Sequence, residues 1–156
     1  MSDPGHIFVY GTLRQGSNHP VAKRLSAQAR LVGKAHAPGH LYDMGWYPAA
    51  LFDDNAAARI VGDVFALPRG GRLLAEIDAY EAGDPNYERI ALQLSVAGAG
   101  RIAAWTYGVA SPPSPRIIPG GDFWRIGTRR RASRSALGRR LGRSGSGGLC
   151  LMRSPR

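Results

Sequence analysis

The chain has 156 residues, 44% hydrophobic and 21% charged, which fits one globular domain with room for a core. Its one cysteine, Cys150, excludes an internal disulfide framework and a thiolate metal cage, and no apolar run approaches the roughly 18 residues of a membrane span. The formal charge of +10 has the look of a nucleic-acid binder, but residues 1–124 hold 11 basic and 11 acidic residues, and residues 125–156 hold ten arginines and no acid.

The body is therefore neutral, and nucleic-acid binding is expected, if anywhere, from the tail alone. The N-terminus lacks the basic region and apolar stretch of a signal peptide, so the expected location is cytoplasmic. In chain order, His6-Ile7-Phe8-Val9-Tyr10 reads as a buried strand of β-branched and aromatic residues, followed by a loop from Gly11 to Gly16. A short helix is expected from about Asn18 to Leu25, with Asn18 as N-cap and Pro20 in the first turn. Strands are expected over Arg30–Lys34, His40–Asp43, Ala49–Phe52 and Arg59–Leu67.

The clearest helix spans about Gly71 to Glu81. Leu73, Ile77 and Tyr80 fall on one face, Leu74 widens it, and Gly83-Asp84-Pro85 ends it. Two strands follow, Tyr87–Val96 and Ile102–Val109, joined by a hairpin turn at Gly98-Ala99-Gly100. Many strands with one or two short helices point to an α+β domain built on a small mixed sheet or barrel. Ser111–Pro115 reads as a stiff linker, and the Arg-, Gly- and Ser-rich residues 125–156 are expected to be a disordered tail after a domain of residues 1–124.

Two places carry chemistry. In Tyr10-Gly11-Thr12-Leu13-Arg14-Gln15-Gly16 a glycine loop follows a buried strand, where backbone N–H groups can converge on an anion and Thr12 adds a hydroxyl. The helix that begins soon after would favour negative charge at its N-terminus. The spacing of Gly11 and Gly16 imitates a P-loop, but Ser17 stands in place of the phosphate-binding lysine and Asn18 in place of the magnesium-binding hydroxyl. A plain tight turn fits the same residues.

The second place is Glu81, which at about 100° per residue falls between Ile77 and Leu74, inside the apolar stripe. A carboxylate held there is desolvated, which raises its pKa and suits it to proton transfer near neutral pH. The alternative is a helix-end glutamate that leans into water or pairs with Arg89. Tyr42, Asp43, Trp46, Tyr47 and Tyr107 could wall a small-ligand pocket or simply pack. His36 and His40 are separated by Pro38-Gly39 and share no helical face. No HExxH or CxxC spacing and no Gly-x-Ser-x-Gly elbow occurs, so no metal site or serine hydrolase is expected.

The ordered set of motifs resembles the γ-glutamylcyclotransferase-like (AIG2-like) family. It comprises Tyr10-Gly11-Thr12-Leu13, Tyr47-Pro48-Ala49, Gly62-Asp63-Val64-Phe65, Ile77 to Glu81, Tyr87-Glu88-Arg89 and Ala104-Trp105-Thr106-Tyr107, spread over about residues 6–124. The resemblance implies a small mixed β-barrel flanked by short helices. It implies an amine-releasing cyclotransferase or lyase that closes a γ-glutamyl compound to pyroglutamate (5-oxoproline), without metal or organic cofactor. Tyr10, Gly11, Thr12 and Leu13 would bind the substrate, Glu81 would be the catalytic acid/base, and Tyr107 is a further candidate substrate contact. A non-catalytic γ-glutamyl or small-metabolite binding module on the same fold is the alternative. Members end soon after a segment like Gly120-Gly121-Asp122-Phe123, so residues 125–156 depart from the family; they fit either an arginine-rich nucleic-acid tail or unselected sequence from a shifted reading frame.

Overall fold

The computed structural model describes residues 4–124. The expectation of a disordered tail falls outside the described residues. Six strands form one sheet, of which five close on themselves. The first, β1 (His6–Val9), is central, with Ile7, Phe8 and Val9 all at most 4% exposed. It runs antiparallel to β4 (Arg59–Ala66), where Val9 lies opposite Asp63, and parallel to β6 (Gly100–Gly108), where Ile7 lies opposite Trp105. A strand with partners on both sides and both faces covered needs the near-continuous apolar run found here.

β6 forms an antiparallel hairpin with β5 (Glu88–Val96), whose loop is tied by the Ala99 N–H donating to the Val96 carbonyl. β2 (Arg30–Asp43) pairs with β4 along residues 30–38, and at Ala35 and His36 it also meets Val96 and Ser95 of β5. That short contact closes a barrel in the order β2-β4-β1-β6-β5, mixed because of its one parallel pair.

The sequence reads two strands, Arg30–Lys34 and His40–Asp43, where the structure has one. Pro38-Gly39 bends the strand without ending it. On the near side β2 follows β4, and from Gly39 onward it pairs with β3 (Pro48–Phe52). A Cβ at Gly39 would lie 2.4 Å from the Leu51 carbonyl oxygen, so the crossing backbones need glycine there.

α1 covers Pro20–Gln28, about three residues beyond the expected end, and its N-cap is His19 in place of Asn18. Proline occupies the first helical position, where a missing N–H costs nothing. The cap role then falls to the residue just before it, and His19 Nδ1 accepts from the Val21 N–H at 3.2 Å. α2 covers Arg72–Glu81 and buries Leu73 and Ile77. The two helices pack on the outer side of the barrel, where Leu25, Leu73 and Ile77 form one cluster with Ile7, Val9, Leu13, Phe65 and Tyr107.

The segment after β6 is no linker between bodies. Past Ser111–Pro115 the chain returns to the edge of β2, where the Asp43 N–H donates to the Arg116 carbonyl and the Ile118 N–H to the Leu41 carbonyl. Ile118, 2% exposed, fixes it there, and a short 3-10 turn at Pro119–Gly121 follows. Among the described residues no helix is long and apolar enough to cross a membrane.

Candidate active site

The expected loop leaves β1 at Tyr10, whose ring is buried and whose hydroxyl donates to the Tyr107 backbone carbonyl. Two tight turns follow, closed by the Arg14 N–H on the Gly11 carbonyl and by the Ser17 N–H on the Arg14 carbonyl, both 3.2 Å. A Cβ on Gly11 would stand 2.7 Å from Pro48 Cγ, so two of the sequence motifs meet here: the Tyr-Pro-Ala segment can close on the loop only because residue 11 has no side chain. Leu13, 3% exposed, anchors the loop in the helix cluster, and Thr12 Oγ1 lies 3.4 Å from the Tyr80 hydroxyl.

Between this loop and the end of α2 lies a cavity of about 330 Å³. Tyr10, Gly11, Thr12, Leu13, Glu81 and Tyr107 all line it, so the six residues expected to bind substrate or act as acid/base come to one place. No residue of α1 lines it, so the expected help from that helix's N-terminus is absent; the intervening turns carry the helix start away from the cavity. Of the aromatic group, Tyr47 and Tyr107 reach the wall. Tyr42 packs within the core between β2 and the returning segment, Asp43 accepts from the Gly45 N–H, and Trp46 stands 81% exposed.

Three polar wall residues escaped the sequence reading: Tyr80, Asp84 and Tyr87. They flank Glu81 in a segment legible only as helix end and strand start. The Tyr87 hydroxyl donates to the Pro48 carbonyl at 2.8 Å, and the Tyr47 hydroxyl to Asp84 Oδ2 at 3.3 Å, which joins the turn after α2 to the turn before β3. The motif Tyr87-Glu88-Arg89 was the signal that could have drawn attention to Tyr87.

Glu81 is the last residue of α2 and sits on its inward side, as the periodicity requires. Burial pushes its carboxyl up to about 7, and the nearby Asp84 carboxylate adds to the shift. Arg89 does not neutralise it. That guanidinium pairs instead with Asp78 at 2.5 Å and lies over the Trp105 ring, 4.5 Å from its centroid. Asp78 also accepts from the Tyr107 hydroxyl, which orients the phenol at the cavity wall. Burial raises the phenols of Tyr10, Tyr87 and Tyr107, aided in Tyr107 by its bond to Asp78, so all three remain hydrogen donors at neutral pH. Among the described residues, no lysine, arginine or histidine lines the cavity. It holds one carboxyl poised near neutrality, a second carboxylate at the rim, and a backbone loop free of side-chain bulk at Gly11.

Residues 7–125 match the family model for gamma-glutamyl cyclotransferase, AIG2-like proteins. No curated protein matches the chain. Among solved structures, an uncharacterized protein from Pyrococcus horikoshii is similar at 25% identity and a TM-score of 0.61, over 81% of this chain and 96% of that one. An AIG2-like protein from Mus musculus is similar at 26% identity and a TM-score of 0.59, over 72% of this chain and 82% of that one. YkqA from Bacillus subtilis shares the fold at 21% identity and a TM-score of 0.65, with 83% of this chain covering 43% of that longer one.

Proposed function

Because the chain belongs to the gamma-glutamyl cyclotransferase, AIG2-like family, we propose that it releases an amine or amino acid from a γ-glutamyl compound by ring closure to pyroglutamate. The observation that carries this reading is Glu81, a largely buried carboxyl raised to about 7 on the wall of a cavity lined also by apolar groups, phenols, backbone, Thr12 and Asp84. Such a group is charged often enough to accept a proton near neutral pH and holds it loosely enough to return it.

The γ-glutamyl end of the substrate enters with its α-carboxylate toward the Gly11–Leu13 backbone. Amide N–H groups there receive the anion, since the cavity offers it no cationic side chain. Glu81 takes a proton from the substrate's α-ammonium. The freed amine attacks the γ-carbonyl carbon of the same molecule and forms the new C–N bond of a five-membered lactam. As the old amide C–N bond breaks, Glu81 returns its proton to the departing nitrogen, then takes the ring nitrogen's surplus proton and passes it on, so that the released amine leaves as an ammonium. The products are pyroglutamate and a free amine, and no step calls for a metal. Holding nucleophile and carbonyl in one folded pose turns the attack into a well-oriented unimolecular event, and this accounts for much of the rate.

Tyr107 and Tyr87 are the phenols best supported for contacting the substrate; their hydrogens go to Asp78 and to the Pro48 carbonyl, so each offers an oxygen lone pair that can accept from the substrate's ammonium. The test is pyroglutamate release from a panel of γ-glutamyl amides and γ-glutamyl amines. Release identifies the reaction, and the best member of the panel identifies the leaving amine. Silence across the panel, from folded protein that still binds its members, would replace this reading with a non-catalytic binding module.

A further inference from the structure

The loop that faces the cavity is held from behind by charges that the proposed reaction does not use. Arg14 follows Leu13 directly, yet it is 6% exposed and lines no part of the cavity. Its Nε lies 3.4 Å from Asp63 Oδ2 on β4, and its Nη1 lies 2.8 Å from Asp122 Oδ1, just past the 3-10 turn. The same Asp63 oxygen accepts the Gln15 backbone N–H at 3.1 Å. Asp122 Oδ1 also accepts the Trp124 backbone N–H at 3.0 Å, and the Arg14 guanidinium lies 5.9 Å from the Trp124 ring centroid.

We propose that Arg14 is a positioning residue. Bridged to Asp63 and Asp122, it fixes where the Gly11–Leu13 N–H groups point. This inference rests on the proposed use of that loop as the carboxylate cradle. Arg14 touches no substrate in this account and acts through the backbone it holds.

Three features support the role. First, the bridge is anchored at both ends on well-packed structure: Asp63 lies opposite Val9 in the β1–β4 ladder, and Asp122 follows Gly121, whose Cα sits so close to β4 that a Cβ would be 1.8 Å from the Arg59 carbonyl oxygen. Second, the loop's own backbone bonds, Arg14 N–H to Gly11 and Ser17 N–H to Arg14, close its turns without tying them to the barrel. Beside the apolar anchor of Leu13, residues 14 and 15 supply the polar tie, one through a side chain and one through an N–H, and both reach Asp63. Third, an arginine suits the place because its planar fork can reach two carboxylates in different directions at once; a lysine ammonium has one centre to offer. A loop whose donors must converge on one anion loses affinity when it can swing, because the cost of ordering it then falls on binding.

Amide hydrogen exchange and pyroglutamate kinetics of the full chain, in Arg14→Met, Arg14→Lys and Asp122→Asn, test this. In Arg14→Met, the amides of residues 11–16 should exchange at least ten-fold faster than in the wild type, while amides of the β1–β4 ladder keep their rates. KM for the γ-glutamyl substrate should rise about ten-fold, with kcat within about three-fold and its pH profile unmoved. Arg14→Lys should fall between the two, and Asp122→Asn should show a smaller change of the same kind. Unchanged loop exchange in Arg14→Met, or loosening of the whole barrel in step with the loop, would overturn the proposal. Should Arg14→Met fail to fold, Asp122→Asn decides: loop exchange equal to wild type rejects the bridge. A wild type without turnover would sink the cyclotransferase reading and leave the exchange result standing.

Discussion

Of two hollows among the described residues, the smaller one carries the candidate site. The larger, about 970 Å³, lies over the seam where β2 and β5 barely meet, and Lys34, His36, Asp54, Arg59 and Arg101 are among the side chains that line it. All five are exposed. The smaller, about 330 Å³, is walled by α2, the β1 loop and the Pro48 turn, and it holds Glu81 largely buried. A carboxyl drawn out of water by packed elements is retuned by its surroundings. Burial of the side chain by packed elements, more than the volume of the hollow, is what sets Glu81 apart.

That contrast can be broken by substitution. Glu81→Gln should lower turnover at least a thousand-fold, since the proton's acceptor and donor are one group, while binding of a γ-glutamyl compound stays within a few-fold. Arg101→Ala, at the exposed wall of the larger hollow, should leave kcat/KM within two-fold in the same assay. A groove substitution that matched the loss at Glu81 would place the reaction on the wrong side of the barrel.

The next largest effect separates enclosed from exposed ion pairs. Removing Arg14 takes the guanidinium away from Asp63 and Asp122 in a site that is 17% exposed or less, so Arg14→Met should ease local opening of residues 11–16 by about 3–5 kcal/mol, read from their amide exchange. Arg24 bonds to Glu76 between the two helices, but its side chain is 62% exposed, and Arg24→Met should cost no more than about 1 kcal/mol. Equal costs would mean that the Arg14 bridge is looser than its burial implies.

A smaller effect sharpens the account of Glu81 itself. Its pKa rises on folding from 4.5 to about 7, so the folded state binds this proton more tightly than the unfolded chain. The associated stability is fully present below about pH 4.5 and is lost as pH rises through about 7. Glu81→Gln, which cannot ionise, should therefore match the wild type at low pH and exceed its stability by about 1–3 kcal/mol at pH 8. A difference between the two proteins that stays constant with pH would show that Glu81 titrates as an exposed carboxyl does.

The legible parts of this molecule were the local ones. The placement of Glu81 on the apolar stripe of α2 followed from helical periodicity, because Leu73, Leu74 and Ile77 define the buried side within three turns. The buried β1 strand, the glycine loop after it and the β5–β6 hairpin could be read in the same way. The order of short motifs then gave the barrel, whose closure through β2 and β5 no single segment reveals. What escaped was set by contacts distant in sequence. Arg14 meets Asp63 and Asp122 across 49 and 108 residues, and nothing local distinguishes it from a solvated arginine. The continuous β2 strand hid behind Pro38-Gly39, since the reason for glycine there is the Leu51 backbone of another strand. The His19 cap was missed because an imidazole nitrogen rarely takes the place of a cap oxygen.

The most direct test of the central claim is the pH dependence of pyroglutamate release by wild type and Glu81→Gln, measured on whichever γ-glutamyl compound turns over best. The account predicts a kcat/KM that rises with pH through an apparent pKa near 7 in the wild type, and residual release below a few per cent at every pH in the variant. A variant that keeps more than that, or a wild-type profile flat from pH 5 to 9, would contradict the assignment of Glu81 as the acid/base.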